Sequence, residues 1–339
     1  MIRIFTNNIY RIALLLVAII ATAPQASAQD FHLSQYDAAP LYLNPAMTGM
    51  FNGHYRIHGH YRTQWSSIAS KPFQTSAISY DMAIKKWAFG AQIMNNRAGA
   101  GNFNVFSFAG SGAYDISLDE EGNNHFSFGL QAGLIHKSVD ISRLVFNNQY
   151  SNANGGGFDN SISSGENFGT GESTVMPDLN AGFIYYYGNE SSRLNPFLGA
   201  SVFHLTQPKE TFFSNDNRLP MRIVVHGGTR ININEKIQLQ PKALYMKQSN
   251  AQELTTSLIV QYYLEGSDAY ILFGPTWRKK DAAIIEAGLK YDKYVCKISY
   301  DINTSTLNPT TNGRGGFEIS LSYIPKKQKP NPIPTCPRL

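Results

Sequence analysis

The chain has 339 residues and a formal net charge of +5, with 42% apolar, 16% charged and 12% aromatic residues. Few charges and many aromatics exclude a disordered chain, and a mean hydropathy of −0.26 with a single long apolar run excludes a helical membrane protein. The charge is too small and scattered to imply nucleic acid, and two Cys exclude both a disulfide framework and a Cys-ligated zinc site.

The long apolar run comes first. Arg3 and Arg11 flank a twelve-residue stretch, Ile12 to Ala23, and Ala26-Ser27-Ala28 places small residues before a cleavage point. The run is shorter than the roughly 20 residues a membrane-spanning helix needs. Residues 1–28 are therefore expected to be a cleavable signal peptide with the mature chain starting at Gln29, and no Cys near the cut points to a lipoprotein. Loss of Arg3 and Arg11 lowers the net charge to +3.

Residues 29–52 follow. Gln29 to Tyr36 and Pro40 to Gly49 are apolar and aromatic but carry Pro, which suits a segment packed inside a barrel better than a strand of its wall. The expectation is a plug-like segment before a barrel spanning 53–325.

From there the chain alternates with period two. Phe126, Phe128, Leu130, Ala132 and Leu134 oppose Ser127, Gly129, Gln131 and Gly133. Trp87, Phe89, Ala91 and Ile93 oppose Ala88, Gly90, Gln92 and Met94. Ala269, Ile271, Phe273 and Trp277 form another apolar row, as do Phe317, Ile319, Leu321 and Tyr323. The second face is small and polar, which suits a solvated lumen. About fourteen strands are read, near 53–64, 73–84, 87–96, 103–117, 124–138, 176–188, 193–205, 219–233, 236–248, 252–263, 268–279, 282–292, 294–303 and 314–324. Many reach the roughly 9–11 residues of a tilted membrane-crossing strand.

Loop lengths sort by side. With the start in the periplasm, the connections near 84–87, 118–123, 189–192, 234–235, 264–267 and 292–294 are short and periplasmic. Those at 65–72, 139–175, 206–218 and 304–313 are long and outside, as in bacterial outer-membrane barrels. The fold expected is all-β, a transmembrane antiparallel β-barrel of about 14 strands, with residues 29–49 and the chain end both on the periplasmic side. Trp65, Trp87, Tyr245, Tyr262, Tyr263, Trp277, Tyr291 and Tyr323 lie near strand ends and are expected at the headgroup level. The competing fold is a secreted soluble β-sandwich with an aromatic core. Residues 326–339 form a Pro-rich tail expected to be extended and periplasmic.

Chemistry is nearly absent. No HExxH, GxSxG, Walker A or dinucleotide fingerprint occurs. The Gly-rich stretch Asn152 to Thr174 reads as a flexible outer loop, and Asp159 with Glu166 lacks calcium-loop spacing. His54, His58 and His60 share one parity and read as a wet, lumen-facing row rather than a metal site. His136, His204 and His226 have no Ser or acid placed beside them by sequence. Cys296 shares parity with Tyr294, Ile298 and Tyr300 and should face lipid, and Cys336 lies in the tail. No catalytic, cofactor-binding or metal-binding residue is assigned, no cofactor is expected, and the protein is not read as an enzyme.

The two ends carry a resemblance. Ser34-Gln35-Tyr36, Pro40-Leu41-Tyr42-Leu43-Asn44-Pro45-Ala46 and Gly49, then Tyr61-Arg62-Thr63-Gln64-Trp65, Ser79-Tyr80-Asp81 and the closing strand Gly316 to Tyr323, resemble the PorP/SprF family of Bacteroidetes outer-membrane proteins. The likeness extends over the mature chain, with Phe31 in place of the common Pro and Ala39 where Asn is usual. It implies a non-enzymatic barrel of the type IX secretion system, the exporter linked to gliding motility. Such a barrel assists secretion or surface attachment of cargo such as adhesins. The partners implied are outer-membrane lipid, periplasmic and outer-membrane components of the machinery, and the secreted cargo. The alternative kept beside it is a transport barrel for a small or hydrophobic solute.

Overall fold

The computed structural model describes residues 30–67, 71–99, 101–152, 156–165, 173–189, 191–210 and 217–326. The expected signal peptide, the tail from 327 onward with Cys336, and Glu166 lie outside the described residues.

Period-two alternation makes every strand two-faced, and a sheet with an apolar outside and a polar inside closes on itself to leave no edge. Fourteen strands do so here. They are β1 (Tyr55–Gln64), β2 (Phe73–Ile84), β3 (Trp87–Ala98), β4 (Phe103–Ser117), β5 (Asn124–Ser138), β6 (Ser173–Tyr187), β7 (Leu194–Phe203), β8 (Arg222–Asn232), β9 (Ile237–Gln248), β10 (Ala251–Leu264), β11 (Ala269–Arg278), β12 (Ala282–Tyr291), β13 (Tyr294–Asn303) and β14 (Arg314–Tyr323). Each pairs antiparallel with its neighbours in sequence, and β1 closes on β14 with Ile57 opposite Tyr323 and Gln64 opposite Gly316. The strands fall where the alternation places them, within a few residues. The two-residue connections 85–86, 249–250 and 292–293 begin at Lys85, Ser249 and Asp292 with φ of 58°, 51° and 48°. A positive φ at that position matches the twist of the flanking strands.

The facing is as the alternation requires. On β5, Phe128 and Leu130 are 47% and 50% exposed, whereas Ser127 and Gln131 are 4% and 2%. The outward face carries apolar side chains on every strand, far more than a water-facing surface tolerates. Cys296 lies on this face, between exposed Tyr294 and Ile298. Among the described residues no helix is long and apolar enough to cross a membrane.

Five expectations are corrected. The lumen is not wet along its length, because residues 30–49 fill it and bury the inward face of β5. Trp65 does not sit in a lipid belt: it packs edge-on to Phe73 at the long-loop mouth. Tyr263 turns inward and meets Tyr270 at the other mouth. Ala269, grouped with the apolar row of β11, is buried at the strand's start. Trp87, Tyr262, Tyr291 and Trp277 do lie exposed near strand ends. The long connection after β5 is not shapeless in its described part. It carries a two-residue hairpin, Tyr150–Ser151 with Gly157–Phe158, and the Gln149 side chain donates to Ile162 O at 2.9 Å.

Candidate functional site

The lumen is organised around residues 30–49, which hold one short helix, α1 (Pro40–Leu43), and a 3₁₀ turn, Pro45–Met47. The segment descends from the long-loop mouth, where Asp30 N donates to Gln248 at the end of β9, to the short-turn mouth, where Gly49 N donates to Asp81. This overturns the expectation that residues 29–49 lie on the same side as the chain end. The segment threads the barrel, and its first described residue is at the opposite mouth.

Three levels of charge hold it. At the top, His204 lies just beyond β7 with Nδ1 2.8 Å from Asp178 and Nε2 2.7 Å from Asp30. Burial disfavours the charged imidazole, but the two carboxylates outweigh it and raise its pKa to about 9. Burial acts against Asp30 too, yet His204 and Arg222 hold its carboxyl well below the usual range. The Arg222 guanidinium, 2% exposed, lies between the rings of Tyr42 and Phe203, at 4.3 and 4.2 Å, and donates to Tyr42 Oη. Burial, with Arg278 and Arg62 nearby, pushes His32 well below its usual range.

One level down, Glu318 of β14 accepts backbone N–H groups from Ser34 and Gln35 at 2.8 and 2.7 Å. It also accepts Arg62 Nη1 at 2.7 Å. Asp301 of β13 accepts the Ser34 hydroxyl at 2.7 Å, Arg62 Nη2 at 2.9 Å and Arg278 Nη2 at 2.8 Å. Two guanidiniums and two carboxylates from four strands thus converge on Ser34. At mid-height, Asp37 bridges Lys242 of β9 at 2.5 Å and Lys297 of β13 at 3.0 Å, and Lys297 also meets Glu286 at 3.0 Å. Burial would raise the Asp37 carboxyl, but the two lysines hold it well below the carboxylate range.

Below this, backbone closeness replaces charge. Asn44 donates to the carbonyls of Phe183 and Ala200, at 3.0 and 3.3 Å, and its amide is 3.1 Å from His226 Nε2, which accepts. Ser201 donates to Leu43 O and Ser127 to Ala46 O, both at 2.8 Å. The segment comes this near because the inward face has Gly at the contact points. A Cβ at Gly129 would meet the backbone of Pro45 and Ala46, and one at Gly182 would meet Asn44. At the foot, Asp81 accepts Arg56 bidentately at 2.9 and 2.7 Å.

The singled-out histidines are distributed by this packing. His58 and His60 face the lumen as expected but are buried rather than wet, bonded to Ser322 at 2.9 Å and Glu318 at 2.7 Å. His54 precedes β1 and is exposed. His204 and His226 both touch the threaded segment, while His136 lies on the outward parity of β5, away from them. Asp159 is exposed and bonds Ser161 at 2.6 Å. Among the described residues no group of three or more His, Cys, Asp or Glu is placed to hold a metal ion. What the sequence reading missed is the inward charge set: Arg62, Lys242, Arg278, Lys297, Asp301 and Glu318. Its signal was present as charges of both signs on inward parities, together with Gly129 and Gly182.

Space remains at both mouths. A cavity of about 340 Å³ at the long-loop end is walled by Phe31, Trp65, Phe73 and Phe103 with Arg62 and Lys137. One of about 690 Å³ opens at the short-turn end.

Comparisons with known proteins agree with this architecture. The profile of the family described as "Type IX secretion system membrane protein PorP/SprF" matches residues 25–323. No curated protein matches. Among solved structures, a TodX deltaS2S3 mutant monoaromatic hydrocarbon channel is 10% identical, with 86% of this chain and 94% of that one covered and a TM-score of 0.50. The CymD monoaromatic hydrocarbon channel is 12% identical over 86% and 94%, at 0.48. A Pseudomonas aeruginosa FadL homologue is 11% identical over 83% and 92%, at 0.44. The likeness to the first of these, at 10% identity, concerns the barrel fold alone.

Proposed function

We propose, for a chain that belongs to the PorP/SprF family of type IX secretion system membrane proteins, a non-enzymatic outer-membrane barrel that assists secretion or surface attachment of particular cargo proteins, gliding adhesins among them. The signal peptide carries it to the periplasm. The short turns face that side, and the long loops face outward, as in bacterial barrels of this kind. The observation that carries the reading is the filled lumen. Residues 30–49 cross it from mouth to mouth and are tied to opposite walls at Ser34, Asp37 and Asn44. A barrel so filled presents surfaces at its two ends for protein contact, rather than an open bore. Machinery components dock at the periplasmic end, and cargo at the outer loops.

A second reading, transport of a small or hydrophobic solute, draws on one feature, the aromatic cavity of about 340 Å³ at the long-loop mouth. Deleting the gene and comparing extracellular and surface proteomes separates the two. Loss of particular secreted or surface proteins supports the secretion role. An unchanged secretome with lost solute uptake overturns it in favour of transport.

A further inference from the structure

The short-turn mouth holds a charge imbalance that the upper lumen lacks. Its cavity of about 690 Å³ is lined by Arg230, Lys290, Lys293 and Lys326 against a single carboxylate, Asp292. Lys326 takes that carboxylate at 3.6 Å, and Asp268 at 3.3 Å. Among the described residues, Arg230, Lys290 and Lys293 have no carboxylate partner. Arg230 stands deepest. It also lines the next cavity, of about 190 Å³, which reaches Asp37 and Lys242. Its Nη2 reaches Asn195 Oδ1 at 3.2 Å, but its buried Nε has no hydrogen-bond partner. A buried guanidinium N–H left without an acceptor is costly, so an incoming acceptor completes the site.

We propose that this mouth binds an acidic, extended peptide segment of a partner protein, with Arg230 as the deep anchor and Lys290 and Lys293 at the rim. The cations select an anion. The rest of the lining selects a peptide: the side-chain amides of Gln238 and Gln261 match backbone donors and acceptors, and Leu272 and Val295 offer apolar wall between them. The volume lies within the range of ordinary ligand pockets. A bare inorganic anion uses neither the amides nor the apolar wall. A lipid headgroup does not reach them, because Gln238 and Gln261 sit on inward parities of β9 and β10. The inference deepens the proposed function, and rests on it only for placing this mouth toward the periplasm.

The test uses the purified full-length barrel in detergent and two fluorescein-labelled octapeptides, alternating Glu-Leu and alternating Gln-Leu, read by anisotropy. The acidic peptide binds, the Gln peptide binds at least about tenfold more weakly, and salt weakens the acidic one selectively. Arg230→Gln, and separately Lys290→Gln with Lys293→Gln, each lower affinity by about tenfold. Heat-modifiable mobility on gels reports folding. Lys290 is exposed and Lys293 sits in a turn, so the second variant decides the matter should the first misfold. Equal affinity for both peptides, no binding, or unchanged affinity in the variants overturns the proposal. Displacement of the peptide by millimolar inorganic phosphate also overturns it, leaving a small-anion site. Peptide binding together with an unchanged secretome after gene deletion keeps this site and removes the secretion role; the reverse pair of results does the opposite.

Discussion

The two halves of the lumen use one strand pattern in opposite ways. Toward the long loops, every inward charge described above is matched: Arg62 and Arg278 by Asp301 and Glu318, Lys242 and Lys297 by Asp37, and His204 by Asp30 and Asp178. Toward the short turns, Arg230, Lys290 and Lys293 face a cavity whose one lining carboxylate among the described residues, Asp292, is taken by Lys326. The difference follows the path of residues 30–49, which lie among β9, β13 and β14 in the upper half and then swing to β5 and β6. Where the chain's own segment fills the bore, charges are buried and must be paired. Where it leaves the wall, they stand in space and are available to something else.

The comparison breaks hardest at the upper network. Asp301→Ala removes the carboxylate that two buried guanidiniums share, leaving Arg62 with Glu318 alone and Arg278, 1% exposed, with Asp281 alone. It should cost about 3–5 kcal/mol, seen as a lower unfolding midpoint in detergent and as new protease cleavage within 30–49. Unchanged protection would mean that the segment is held elsewhere.

Facing comes next. Leu130→Arg should cost about 2–4 kcal/mol if it lies near the bilayer midplane. In a wet lumen Arg at Gln131 would be far milder. Gln131 instead donates to Leu41 O at 3.3 Å and accepts from Asn180 at 2.9 Å, so Gln131→Arg should be about as damaging in a refolding assay as Leu130→Arg.

Gly129→Leu sharpens the fit of the segment to the wall. Its side chain would occupy the place of the Pro45–Ala46 backbone, and overpacking of this kind costs about 1–3 kcal/mol. The expected result is a barrel that still shows heat-modifiable mobility but exposes 30–49 to protease.

A smaller, pH-dependent loosening should appear at the top. His204 is raised to about 9 in the folded chain. Its protonated form therefore contributes stability fully below the ordinary histidine value of 6.5, and that contribution is lost as pH rises through about 9. Asp30 is lowered, so its contribution is present above its ordinary value of 3.8 and lost on strong acidification. Protease access to the segment start should rise between about pH 8 and 10, and His204→Gln should flatten that rise.

The smallest effect belongs to the open half. Arg230→Gln should change stability by less than about 1 kcal/mol, because no carboxylate loses its partner. A large loss in urea titration would show the two halves to be alike after all.

Much of this was legible in the chain. Alternation in Phe126 to Leu134 or Phe317 to Tyr323 is a local property, and a strand of period two must put those residues on one face wherever it lies. Hence the strands, their number and the lipid-facing side of Cys296 follow from sequence. Asn44-Pro45-Ala46 and its neighbours marked a segment unlike the wall, and the resemblance to the family rested on it. The inward face was legible only as small and polar. Ser127, Gly129 and Gln131 look the same whether they line water or touch a backbone. The choice between the two is made by Ser127 meeting Ala46, 81 positions away, and Glu318 meeting Ser34, 284 positions away. Such contacts exist only once the barrel has closed. The sequence by itself therefore determined a two-faced wall, because its physics is that of neighbours along a strand. Tertiary structure alone decided what fills the bore, which charges are matched and which mouth keeps cations without a carboxylate. Those outcomes depend on the path of one segment among strands that only closure brings together.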